Sequence, residues 1–278
     1  MISGESYYPR QLMAQVIFSW LFIILIYFFA TDSLLSQLQQ PVLISPGSDN
    51  TFWLLHLTGI PQFLLTNKVA ALIFDLVVTT SCLVCIFIPA QRAFTIITVA
   101  GVWLLYVCYS TAAGKHYVQI GYLLAPLPFF ALNSKRFSLL WEGLRYWVCF
   151  LFVCAGLYKL YYGGFFDADN MRNILLLENA QWLAFEPGSL QRNLIEFLIE
   201  NKAAAQWLYR LAAVLQFSLL IGFFTRKYDD WLFCLLLLFH LANFILLHIP
   251  FVDQSLIFAP FLPWKRWAQY FQLTTGND

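Results

Sequence analysis

The sequence predicts an all-α integral membrane helix bundle of about seven to eight transmembrane segments with N- and C-termini cytoplasmic. Three observations carry that prediction. Only 11% of the 278 residues are charged and 60% are apolar, whereas a soluble domain averages about 25% charged residues. Apolar runs of bilayer-crossing length alternate with short breaks that hold the prolines, glycines and charges. Lysine and arginine divide unequally between alternate breaks.

Taken in order, a polar lead, Met1 to Arg10, precedes a first span from Leu12 to Ala30, too long for a signal-peptide core. Thr31 to Thr66 is a loop broken by Pro41, Pro46-Gly47 and Gly59-Ile60-Pro61, with an apolar piece from Phe52 to Leu57 suited to the membrane surface. Lys68 to Ile88, closed by Pro89, is the second span, and Phe94 to Ser110 the third. Gly114-Lys115-His116-Tyr117 is a polar break before a short fourth span, Val118 to Leu132. Leu144 to Tyr162 is the fifth. The long loop 163–201 follows, with short amphipathic helices expected over Met171 to Phe185 and Leu190 to Glu200. Ala203 to Phe224 and Trp231 to Ile249 are the sixth and seventh spans. Phe251 to Leu262, between Pro250 and Pro263, is a short eighth.

With the N-terminus inside and eight crossings, Arg10, Arg92, Lys135, Arg136, Arg145, Arg226, Lys227, Lys265 and Arg266 fall on the cytoplasmic side. Only Lys68, Lys115, Arg172, Arg192 and Lys202 fall outside, the bias expected for this orientation. A formal charge of +1 and the lack of a basic cluster argue against nucleic acid as a partner. All six cysteines lie inside apolar runs, which excludes a secreted disulfide scaffold. Cys82-x-x-Cys85 has redox or zinc spacing but no second ligand pair, so it reads as two small core residues. No metal is expected.

Three polar features interrupt the apolar runs. Phe152, Ala155, Gly156, Lys159 and Gly163 share one helix face, which leaves little side-chain bulk between Phe152 and a lysine near the end of the run. Such a face admits a neighbouring helix or a flat ligand. The lysine either serves a function or extends its long stem to the interface. His240 and Asn243 are one turn apart near the middle of the seventh span, where they form either a pocket pair or an interhelical clasp. Asp75 and Arg210 each lie roughly 10–12 Å into their spans from the outer side. Opposite charges at matched depth suggest a structural ion pair; the alternative has Asp75 turned toward Lys159, holding it charged.

Ala155-Gly156-Leu157-Tyr158-Lys159-Leu160, followed by Gln181-Trp182-Leu183 in a long loop, resembles the vitamin K-dependent γ-glutamyl carboxylases and the broader horizontally transferred transmembrane (HTTM) family. Phe239-His240-x-x-Asn243, the tail Phe261-Leu262-Pro263-Trp264 and His116-Tyr117-Val118-Gln119-Ile120-Gly121-Tyr122 are similar to that family too. The resemblance implies one transmembrane domain over residues 1–278. Lys159 would be the base toward reduced vitamin K (a menaquinol-type quinol), with His116 and His240 assisting. Asn243, Tyr117, Gly156 and Trp182 would be the substrate- or quinol-binding positions. It implies CO2 and O2 as co-substrates and a lyase that carboxylates a peptide glutamate. Implied partners are membrane lipids and a small precursor peptide. The expected location is a plasma (bacterial inner) membrane, with the active side non-cytoplasmic. The large lumenal domain of the carboxylases is missing from this sequence, so a clotting-factor substrate is not implied. The competing reading is a non-catalytic HTTM protein that binds a peptide, lipid or partner in toxin maturation, export or immunity. A transporter ranks last, because no repeat or matched pair of broken helices occurs.

Overall fold

The computed structural model describes residues 8–39, 53, 55–89, 91–113, 123–185, 189–248, 252 and 254–270. Among them there is no strand, and six helical stretches are long and apolar enough to cross a membrane: Arg10–Ala30, Lys68–Phe87, Arg92–Tyr109, Ser134–Tyr161, Lys202–Phe223 and Asp229–Leu247. The chain divides into two compact units. The first is Met1–Glu142 with Val252–Ala259 and Trp264–Asp278, and the second is Gly143–Phe251 with Pro260–Pro263.

The first unit is built on α1 (Arg10–Ala30), a short α2 (Ile60–Thr66), α3 (Lys68–Phe87) and α4 (Arg92–Ala113). Gly59, at φ +72°, supplies the left-handed turn that starts α2, and the Asn67 side chain caps α3 by accepting from the Ala70 N–H. The Cys82 thiol donates to the Phe18 carbonyl, while the Ser36 N–H just past α1 donates to Asp75, so α1 and α3 run antiparallel. Gly101 lets α4 close on α3, because a Cβ there would collide with Val78. Cys85 lies 3.8 and 3.9 Å from the Thr95 and Thr98 hydroxyls. Both cysteines of the Cys-x-x-Cys are buried and free, as core residues would be.

Near the end of α4, Tyr109 stacks on Phe28, at the far end of α1. Phe129 instead packs on Phe18, and Arg10 donates to the carbonyls of Phe129 and Ala131, both at 2.9 Å. The chain has therefore returned to the first half of α1 by Phe129. Of the expected fourth span, residues 118–122 lie outside the described residues, Leu123–Leu124 are helical, and Leu127–Phe130, which follows Pro126 and contains Pro128, is a 3-10 turn. Proline lacks the N–H that a longer helix needs. The expected eighth span is likewise a 3-10 segment, Ser255–Phe261, containing Pro260.

The second unit takes α5 from Gly143 onward (the whole helix is Ser134–Tyr161), then α6 (Asn170–Phe185), α7 (Leu190–Glu200), α8 (Lys202–Ser218), a 3-10 turn (Leu219–Phe223) and α9 (Asp229–Leu247). A last short helix, α10 (Trp264–Tyr270), returns to the first unit. Arg145 is the polar centre of the second unit, at 1% exposure. Its guanidinium donates to both Asp229 oxygens, at 2.5 and 3.1 Å, and to the carbonyls of Gly222 and Thr225. The fork thus ties α5 to the 3-10 turn and to the start of α9. Gly222 permits this, since a Cβ there would lie 2.5 Å from the Cys149 sulfur.

At the other end of α9, Asn179 of α6 donates to the Leu246 carbonyl and Gln191 of α7 to that of Ile245. These side chains satisfy acceptors that a helix end leaves open. Met171, Leu175, Leu198 and Ala205 form a small core beneath α6 and α7. Loop 163–201 is thus a folded two-helix cap on α8 and α9.

Candidate functional site

Lys159 sits one turn from the end of α5, partly buried, with its ammonium 5.6 Å from the centre of the Tyr209 ring on α8. The neighbourhood is polar. Gln206 donates to the carbonyls of Gly164 and Phe165, both at 2.9 Å, and Arg210 donates to that of Phe165 at 3.1 Å. The Arg210 guanidinium also stacks over Trp207 and Phe165. Gly164 is pressed against the Tyr209 hydroxyl and the Asn170 amide, so a side chain there would clash. One face of α8 therefore holds the turn that follows Lys159.

The cations around this end differ in what they meet. Lys202 pairs with Asp169 at 2.7 Å, and Arg192 with Glu196 at 2.7 Å. Arg172 reaches Asp169 at 3.8 Å and donates to the Ile199 carbonyl. The hydrogen bond from Lys202 holds the Asp169 carboxyl below the usual range. Lys159 has no ion pair among the described residues, and its neighbour is an aromatic face.

Gly156, one turn before Lys159, is buried under the Phe217 ring, and an added Cβ would lie 3.3 Å from three of its carbons. The small-residue face is real, but a neighbouring side chain covers the stretch at Gly156 where a flat ligand is expected. His240 packs edge-on against Phe152 and Phe239, with ring centres 6.1 and 5.4 Å away. Phe152 is two turns before Lys159, about 10 Å along α5. The contacts described for His240 are with Phe152 and Phe239 and that for Lys159 is with Tyr209, and partly buried Asn243 lies one turn beyond His240. Trp182 packs against His248, just beyond the end of α9, with ring centres 4.7 Å apart and planes tilted by 48°, as part of the two-helix cap. His116 and Tyr117 lie outside the described residues.

Asp75 is buried at 6% exposure, as its depth requires, and accepts from the Ser36 N–H at 2.8 Å. Arg210 serves the Phe165 carbonyl. Each has a partner in its own unit, and an Asp75–Arg210 pair is not among the ion pairs of the described residues. The buried pair is Arg145–Asp229, which charge counting by side misses by placing Arg145 among the cytoplasmic cations. Its signal is an arginine well inside an apolar helix, with Asp229-Asp230 opening the seventh span.

Between α5, α8 and α9 lies a narrow apolar crevice lined by Phe152, Gln216, Leu219, Leu235, Leu236 and Phe239. It has no space wide enough for a water molecule. Gln216 is only 4% exposed, and its side-chain carbonyl oxygen has no hydrogen-bond partner. No protein-family model, curated protein or solved structure matches the chain.

Proposed function

We propose that the chain is a multi-pass membrane enzyme of the quinol-dependent carboxylase type, with Lys159 as its base and its working side non-cytoplasmic. The membrane reading is supported by the exterior of the long helices. Leu72, Ile73 and Leu76 on α3, Phe150 and Leu157 on α5, Trp207, Leu211 and Val214 on α8, and Leu238, Leu241 and Phe244 on α9 are all exposed. Apolar surface of this extent is stable facing lipid and aggregates in water. Sidedness is supported by the return of the chain to the first half of α1 before α5 begins.

The observation that carries the catalytic reading is Lys159 itself, a lysine close to the end of an apolar helix with no acid paired to it among the described residues. Only a neutral amine can take a proton from a quinol hydroxyl, and lysine, unlike arginine, can supply one. Reduced vitamin K, when bound with O2, supplies the strong base that removes the glutamate γ-proton before CO2 adds. The chain fits such a molecule in part. Phe217 fills the place at Gly156, while the crevice near Phe152 offers apolar walls and an unpaired buried acceptor. The chain's own residues would hold the ring away from water, set the Lys159 amine beside Tyr209 and present a glutamate at the polar turn. The test is mass spectrometry of co-expressed Glu-rich peptides for added CO2, with and without reduced vitamin K. Quinol-dependent addition is the expected result, and none in either condition refutes the reading.

A second reading, a non-catalytic bundle that binds a peptide, lipid or partner, is favoured by two observations. Phe217 covers Gly156, and the Lys159 ammonium lies over the Tyr209 ring, a contact that needs no ligand.

A further inference from the structure

We infer that Arg210 holds the phosphate of an anionic phospholipid, with an acyl chain of that lipid lying along α8, whether or not Lys159 is a base. Arg210 is half-buried, about 12 Å along α8 from Lys202. An arginine at such a depth ordinarily extends its stem toward the headgroups. Here the stem is pinned. Its Nε–H donates to the Phe165 carbonyl at 3.1 Å, and the guanidinium carbon lies 5.1 and 5.8 Å from the centres of the Trp207 and Phe165 rings. The two terminal nitrogens have no hydrogen-bond or ion-pair partner among the described residues. The carboxylates that follow Phe165 in the chain are engaged elsewhere: Asp167 accepts from the Asp169 N–H, and Asp169 pairs with Lys202. A guanidinium fixed at Nε, with both other nitrogens open, is preorganised to grip an oxyanion through two parallel hydrogen bonds.

The surroundings select which oxyanion. Trp207, Leu211 and Val214 are exposed and spaced by four and three residues, so they form one apolar stripe of α8 that passes Arg210 and continues beyond it. At the end of α5, on the other side of the Phe165 turn, Tyr161 and Tyr162 are exposed as well. Exposed tyrosine and tryptophan at one end of long apolar helices mark the headgroup level of a bilayer. A phosphate free in water gains nothing from the stripe, whereas a phospholipid brings an oxyanion to the fork and an acyl chain to Leu211 and Val214. The charge of the fork decides between headgroups. A zwitterionic headgroup carries its own cation, and with Asp167 and Asp169 engaged that cation finds repulsion instead of a partner. An anionic headgroup such as phosphatidylglycerol brings only the complementary charge.

The experiment uses the purified full chain in a neutral detergent, with dioleoylphosphatidylglycerol, dioleoylphosphatidylcholine and inorganic phosphate as probes and native mass spectrometry to count bound lipid. Phosphatidylglycerol should bind roughly five- to tenfold more tightly than phosphatidylcholine, the ratio expected for one cation facing an anionic headgroup. Inorganic phosphate at the same concentration should not displace it. Arg210→Gln, which keeps an N–H donor for the Phe165 carbonyl and removes the charge, should lose the preference. Arg192→Gln, at a cation paired with Glu196 on α7, should keep it. A second measurement needs no variant to fold: on the wild-type chain, phosphatidylglycerol with a diazirine in one acyl chain should cross-link within residues 207–214. Equal binding of the two lipids, a preference that survives in Arg210→Gln or is lost equally in Arg192→Gln, or cross-links confined to other segments would overturn the inference. Displacement by inorganic phosphate would do so too, because Arg210 would then be a site for a free anion.

Discussion

Removing the Asp229 carboxylate should be among the most damaging single changes in the chain. Arg145 is 1% exposed and Asp229 carries only 12% side-chain exposure, so neither can turn to water when its partner is lost. In Asp229→Ala the guanidinium keeps the Gly222 and Thr225 carbonyls, at 2.5 and 2.9 Å, but loses the Asp229 ion pair and both hydrogen bonds to that carboxylate. An uncompensated buried charge of this kind costs about 3–5 kcal/mol, a large part of the roughly 5–15 kcal/mol that holds a typical domain. Asp229→Asn, which keeps an acceptor, should lose less. The double replacement Arg145→Met with Asp229→Leu should come near wild type, because no charge is left buried. The assay is denaturant unfolding in micelles followed by tryptophan fluorescence. A loss below about 1 kcal/mol in Asp229→Ala, or a double variant worse than the single one, would refute the assignment of the pair as a buried clamp.

Three further outcomes are expected. Asp75→Ala should cost about 1–3 kcal/mol by leaving the Ser36 N–H without its acceptor, while Asp75→Asn should retain most of that stability in the same assay. Gly101→Ala should cost about 1–3 kcal/mol through collision with Val78, and Val78→Ala in the same chain should restore part of it. The Asp169 carboxyl is held below its ordinary value of 3.8, chiefly by the hydrogen bond from Lys202. Its stabilising effect is therefore fully present above that value and is lost as the pH falls through the lower folded-state pKa. Thermal melts of wild type and Asp169→Asn should differ slightly at neutral pH and converge in strong acid, and curves that diverge in acid would contradict this sign.

The long helices were legible because each needs only an unbroken apolar run, and composition alone supplies that criterion. Val118–Leu132 and Phe251–Leu262 read as short apolar runs, and each holds a 3-10 turn with a proline inside it, Pro128 in Leu127–Phe130 and Pro260 in Ser255–Phe261. Depth along a helix identified Asp75 as buried and did not identify its partner. A carboxylate at that depth can be satisfied by a backbone N–H from a turn, here Ser36, which no count of charged residues reveals. The small face at Gly156 was legible from spacing, but its occupant, Phe217, comes from a helix sixty residues later. Gln216 had no sequence signal at all. One glutamine in an apolar span stands out only when its neighbours are known.

The measurement that bears most directly on the central claim compares Lys159→Arg with wild type for quinol-dependent incorporation of labelled CO2 into peptide glutamate. Arginine keeps a cation at this position and can still stack on Tyr209, but it does not become a neutral amine at any working pH. If Lys159 is the base, wild-type membranes incorporate label only when reduced vitamin K is present, and Lys159→Arg membranes with equal protein content incorporate none. Incorporation by Lys159→Arg at the wild-type rate would show that the lysine contributes only its charge, and would contradict the account.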